Sequence, residues 1–99
     1  MRPQTGAQAT LEHVGYRGTA TVVLEQALRL ALRDRTVRPD WPHEVDEAVD
    51  KVMAAMDDAG KLTDRHYAGG DVERGDIREA LLRVIAMALR AILETPLGK

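Results

Sequence analysis

The chain has 99 residues, 44% apolar and 30% charged, with one tryptophan, two tyrosines, no phenylalanine and no cysteine. That length supports one domain, and so short a chain buries only about 60–68% of its unfolded surface, so a partner subunit would add to its stability. The absence of cysteine excludes a disulfide framework, a thiolate zinc site and a cysteine nucleophile. Fourteen basic against 16 acidic residues, a net charge of −2, argues against a bulk electrostatic grip on DNA or an anionic membrane.

Residues 1–18 hold, after Met1, only Leu11, Val14 and Tyr16 as larger apolar groups to bury. They read as an arm with one helical turn around Thr10–Val14. The start, Met1 to Gly6, lacks the apolar core of a secretory signal. The longest nearly unbroken apolar run, Val84 to Leu89, is far short of the about 20 residues that span a bilayer. No membrane segment is expected, and the expected location is cytoplasmic.

A first helix is predicted over 19–35, where Ala20, Val23, Leu24, Ala27, Leu30 and Ala31 share one side at helical spacing. Thr36-Val37-Arg38-Pro39-Asp40 breaks it, because proline cannot continue a helix and restricts the residue before it. A second helix is predicted over 42–59, with Asp40 as a cap and Pro42 in its first turn. Its apolar stripe is Val45, Val49, Val52 and Met56, flanked by Ala48 and Met53, and Gly60 is its expected stop. A linker over 61–70 carries Gly69-Gly70. A third helix is predicted over 72–94, followed by a tail over 95–99. It is apolar around most of its circumference, leaving Glu79, Arg83, Arg90 and Glu94 as a narrow polar strip, so it needs cover on nearly every side. No segment alternates with period two. The expected fold is all-α: a small bundle of three main helices completed by dimerisation through Leu81, Val84, Ile85 and Ala88.

The residues that could carry chemistry are acidic. Glu44, Glu47 and Asp50 recur at three-residue steps, which makes their side chains neighbours on a helix. Glu73 and Asp76 repeat that spacing at the start of the third helix. Clustered carboxylates suit a hard divalent ion such as Mg²⁺. The competing structural account is that acids in a first helical turn complement the macrodipole, and that Asp76 and Glu79 approximate a capping box. Antiparallel packing of the second and third helices would place their starts at opposite ends, whereas a flexible 61–70 linker would let them lie side by side.

Glu44-Val45-Asp46-Glu47-Ala48, followed by Glu73-Arg74-Gly75-Asp76-Ile77, resembles the two acidic signatures of the MazG-like, all-α nucleoside triphosphate pyrophosphohydrolases. Leu81 to Arg90 is similar to the apolar helix of small members of that family. The likeness spans Trp41 to Ile92. It implies Mg²⁺- or Mn²⁺-dependent cleavage of a nucleotide to a monophosphate and pyrophosphate, with Glu44, Glu47, Glu73 and Asp76 as metal ligands and a dimeric or tetrameric assembly. The metal would neutralise phosphate charge and lower the pKa of a bound water. Two positions depart from the pattern. His43 stands where the family has its first glutamate, and Arg74 replaces a usually apolar residue, while Gly75 weakens a helix running through both acids. A degenerate, nucleotide-binding relative is therefore included in this reading.

His43 and Glu47 do not form a zinc-protease motif, because position 47 is not histidine, and His13, His43 and His66 are dispersed. Arg29, Arg33, Arg35 and Arg38 gather at the end of the first helix, where cations complement the dipole. Arg29 and Arg33 are the candidates for a phosphate contact. No aromatic is interleaved with this cluster, so nucleic acid ranks low as a partner. Gly69 to Gly75 lacks a P-loop lysine. Gly15-Tyr16-Arg17-Gly18 reads as a turn, Trp41 as the anchor of the first interhelical turn, and Met53, Met56 and Met87 as core fillers. Beside the pyrophosphohydrolase stands an alternative from another class: a non-catalytic helical interaction protein acting by oligomerisation and partner binding.

Overall fold

The computed structural model describes residues 6–97, with side chains from residue 15 onward. Its elements are α1 (Gly6–Val37), α2 (Val45–Tyr67) and α3 (Arg74–Glu94). There is no strand among the described residues. The all-α architecture expected from the apolar spacing is the one observed.

α3 lies between the other two helices and packs on both, while α1 and α2 do not pack on each other. Two bonds give the direction of α1. Arg78 near the start of α3 donates to Gln26 at 2.9 Å, and Arg90 near its end donates to Asp34 at 2.7 Å, so α1 and α3 run parallel. α2 is antiparallel to α3. His66 near its end lies 2.7 Å from the Val72 carbonyl, and Pro42, ahead of its start, accepts from Thr95 at 3.2 Å.

The helix ends differ from those predicted. α1 begins at Gly6, so positions 6–18 are helix rather than an arm, and Gly15 to Gly18 is not a turn. The helix is continuous through both glycines, and the Thr19 and Thr21 hydroxyls donate to the carbonyls of Gly15 and Arg17 one turn back at 3.0 and 2.8 Å. Residues 1–5 of the expected arm lie outside the described residues, as do 98 and 99 of the tail. α2 starts at Val45 after Glu44 rather than at Pro42, because Trp41 and Pro42 are engaged by Thr95 at the end of α3.

The expected stop at Gly60 does not occur either: α2 continues to Tyr67 and absorbs most of the 61–70 linker. An isolated interior glycine costs about 1 kcal/mol, too little to end a helix by itself. The real stop is Gly69-Gly70. Gly69 takes the left-handed conformation, φ 84°, and donates to His66 at 3.3 Å, while Gly70 donates to Arg65 at 2.8 Å. This pattern closes the last carbonyls of the helix in a Schellman motif. A Cβ on Gly70 would meet the Arg65 carbonyl oxygen at 2.8 Å, so both glycines are required.

α3 opens with a capping box, but it joins Glu73 and Asp76 rather than Asp76 and Glu79. The Asp76 carboxylate accepts the Glu73 N–H at 2.9 Å.

The interior is built from small side chains. Among the described residues ten apolar side chains are buried, and seven of them are alanines, Ala27, Ala31, Ala48, Ala55, Ala59, Ala80 and Ala86; Val72, Leu82 and Met87 are the larger ones. Met87 fills the core as expected. Met53 and Met56 do not, being 58% and 57% exposed. Alanine at the contacts lets helix axes approach toward the close end of the usual 8–10 Å range.

Gly60 has open space where a Cβ would sit, so Gly60→Ala is expected to stabilise the fold by about 0.5–1 kcal/mol. Gly69→Ala is expected to cost about 1–2 kcal/mol through its left-handed backbone. Thermal unfolding of the two variants checks this, with melting temperatures moving in opposite directions.

Candidate functional site

The antiparallel hairpin decides where the acidic residues stand. Glu44 is the N-cap of α2, with Glu47 and Asp50 exposed in its first turns. Glu73 and Asp76 lie at the start of α3, beside the other end of α2. The 23 residues of α2 span about 35 Å at 1.5 Å per residue, so the two pairs sit at opposite ends of the hairpin. The four residues implied as metal ligands by the resemblance are thus not brought together within the chain. No group of three or more His, Asp or Glu side chains able to hold a metal occurs among the described residues. Glu73 and Asp76 are also engaged with each other's backbone in the capping box.

Arg29 and Arg33 are exposed on α1 and make no ion pair among the described residues. Arg35 and Arg38 are also exposed, but each is ion-paired, Arg35 to Glu94 at 3.7 Å and Arg38 to Asp34 at 2.9 Å. His43 borders a shallow hollow with Arg35, Trp41 and Glu94. Tyr16 is 79% exposed.

The structure assigns Arg90 a different place from the polar strip inferred for it. Its side chain is 2% exposed. One terminal nitrogen donates to Asp34 at 2.7 Å and to the Arg38 carbonyl at 2.9 Å. Nε and the other terminal nitrogen grip both oxygens of Glu94 at 2.6 and 2.9 Å. The guanidinium carbon lies 4.5 Å from the centre of the Trp41 ring, and Trp41 donates to Thr95 at 2.7 Å. Trp41 anchors the first interhelical turn as expected, through this node. Burial pushes the Asp34 carboxyl up, but hydrogen bonds from Arg90 and Arg38 outweigh it and hold the group below its usual range. The hydrogen bonds from Arg90 lower Glu94 in the same way.

Two surfaces remain along α3. On one side a trench of about 560 Å³ runs between α1 and α2, lined by Leu30 and Arg33 of α1, Asp58 and Leu62 of α2, and Glu79 and Arg83 of α3 among others. Both signs of charge border it.

The opposite side is apolar. At 100° per residue, Leu24, Leu28 and Leu32 lie across α1 from its trench-lining residues. Val45, Val49, Met53 and Met56 lie across α2 from Asp58 and Leu62. Leu81, Ile85, Ala88 and Ile92 lie across α3 from Glu79 and Arg83. The three rows therefore share one face of the layer. Leu24, Leu28, Leu32, Val45, Val49, Met53, Met56, Leu81 and Ile92 are each between 44% and 63% exposed; Arg17 and Arg35 bound the α1 row at its two ends, and Arg74 precedes the α3 row. Of the expected dimer residues, Leu81, Ile85 and Ala88 belong to this face, while Val84 packs on the core within the chain. The sequence places Leu24 of α1 and Val45, Val49, Met53 and Met56 of α2 on core stripes; the signal that sets them outside is the alanine row running beside each.

Comparison with protein-family models, curated proteins and solved structures gives no match to this chain. No helix among the described residues is long and apolar enough to cross a membrane.

Removing one partner of a buried ion pair costs about 3–5 kcal/mol, so Arg90→Met is expected to lower stability by that order in chemical unfolding. Because Asp34 and Glu94 titrate below their unfolded values, the stability they contribute is present above the ordinary carboxylate range and is lost as pH falls through the lowered values. Wild-type stability is expected to drop on acidification below about pH 4, and Asp34→Asn to flatten that dependence.

Proposed function

We propose that this protein works by binding through the apolar face of its helical layer: a non-catalytic helical interaction protein. The observation that carries this reading is the inversion of side-chain sizes, with alanines inside and leucine, valine, methionine and isoleucine in three aligned rows outside. Contiguous exposed apolar surface on this scale marks an interaction site. Burying a large apolar side chain is worth roughly 1.5–3 kcal/mol, so nine half-exposed ones hold on the order of 10 kcal/mol before association costs. That is comparable to the whole stability of a small domain.

The acidic residues fit this reading as helix-start residues. Asp46 and Glu47 occupy the first turn of α2, where negative charge complements the dipole, and Glu73 with Asp76 caps α3. The competing pyrophosphohydrolase activity supplies the test. Wild-type protein is expected to release no pyrophosphate from a panel of NTPs and dNTPs with Mg²⁺ or Mn²⁺, and millimolar metal is expected to leave its melting temperature, and that of Glu47→Gln, unmoved. Metal-dependent release by the wild type that disappears in Glu47→Gln would overturn the proposal.

A further inference from the structure

We infer that the occupant of the apolar face is a second copy of this chain, stacked so that α1 of each copy covers α2 of the other and the two α3 rows meet at the centre. This rests on the reading of that face as the binding surface, and names its partner.

Three observations carry it. The first is extent. The nine half-exposed side chains present on the order of 800 Å², the share that each partner contributes to a standard stable interface. The second is position. α3 is apolar on three sides and α1 and α2 cover two of them, so the remaining row, Leu81, Ile85, Ala88 and Ile92, is left at the centre of the open face, with one helix on either side. A twofold axis through that row, parallel to the helices, closes the interface with the same residues from both copies, as an isologous contact requires.

Charge is the third observation, and it selects the arrangement. At 100° per residue, the exposed charges on the same side as the apolar rows are Arg17 and Arg35 against Glu25 on α1 from Gly15 on, and the carboxylates Asp46, Asp57 and Asp64 on α2. Arg33 and Asp58 border the trench on the other side. α3 holds these helices of opposite sign apart within one copy. An axis parallel to the helices lays the basic α1 over the acidic α2 of the second copy. An axis across the helices would lay α1 on α1 and α2 on α2, setting like charge against like.

The register follows from bonds within the chain. Gln26 is level with Arg78, and the hairpin sets Leu81 level with Met56, so Leu28 of one copy comes to Met56 of the other. Light scattering after gel filtration is expected to give twice the mass of one chain. Leu81→Glu and Met53→Glu, both at positions more than half exposed, are expected to give the single-chain mass with helical circular dichroism retained. A wild-type dimer that both variants leave intact would overturn the inference.

The chain has no cysteine of its own, so introduced thiols report the arrangement. Oxidising an equal mixture of the Leu28→Cys and Met56→Cys proteins is expected to link one to the other, and neither to itself. Self-linking of Leu28→Cys without the mixed product would overturn the stacking. A wild type that stays monomeric at about 100 µM would overturn the second copy as occupant. If that monomer binds a hydrophobic dye that Leu81→Glu abolishes, the face still serves a different partner; if it binds none, the reading of the face falls too.

Discussion

The buried guanidinium of Arg90 is the constraint on which the arrangement of the helices rests. It lies where the end of α1, the crossing segment and the end of α3 converge, and its donors are spent on Asp34, the Arg38 carbonyl and Glu94. Glu94 at a helix C-terminus opposes the macrodipole, and the arginine one turn earlier offsets it. The same cation caps the trailing carbonyl after α1 and lies against the face of Trp41, a contact in which guanidinium is favoured over ammonium. No apolar residue of similar size could satisfy two carboxylates and a carbonyl together, so this end of the molecule is held by geometry as well as by burial.

Away from that node the packing is sparse in a particular way. A layer of three helices has two broad faces, and this one covers neither. The trench side carries arginine, aspartate and glutamate along its borders over an apolar floor that includes Leu30, Leu62 and Met87. The other side presents nine large apolar side chains that are about half exposed. Close helix contacts made by alanine fix the layer but remove little apolar area from water, and hydrophobic stabilisation scales with that area. The flat outline, 49 × 43 × 24 Å across its Cα atoms, describes the same imbalance in shape.

The fold class was legible because helical apolar spacing dominates the chain, and the excess apolar circumference of α3 announced that two neighbours would not cover it. Helix ends were less legible. Gly60 and Gly69 look alike in sequence, and only the second is followed by a glycine that can approach the Arg65 carbonyl. The acidic spacings were visible, but whether the two pairs meet depends on the direction of the hairpin, which those spacings do not encode. Arg90 was misplaced because a helical wheel sets it beside Glu79 and Arg83. Its burial comes from Asp34, 56 positions earlier in the chain. Met53 and Met56 were misplaced for the converse reason: an apolar stripe tells which flank is greasy and leaves open which flank has a neighbour.

The topology also sets an order of assembly. α2 and α3 are joined by a tight glycine turn, so their pairing closes short loops, whereas α1 reaches α3 only across the whole hairpin and packs along it through Ala27 and Ala31, with the Arg78–Gln26 bond toward one end and the Arg90 cluster at the other. Closing long loops is the entropically slower step. The hairpin is therefore the cooperative unit that forms first, and α1 docks onto it afterwards. Partial opening that leaves the hairpin intact would release α1, and amide exchange along that helix is where it would be read.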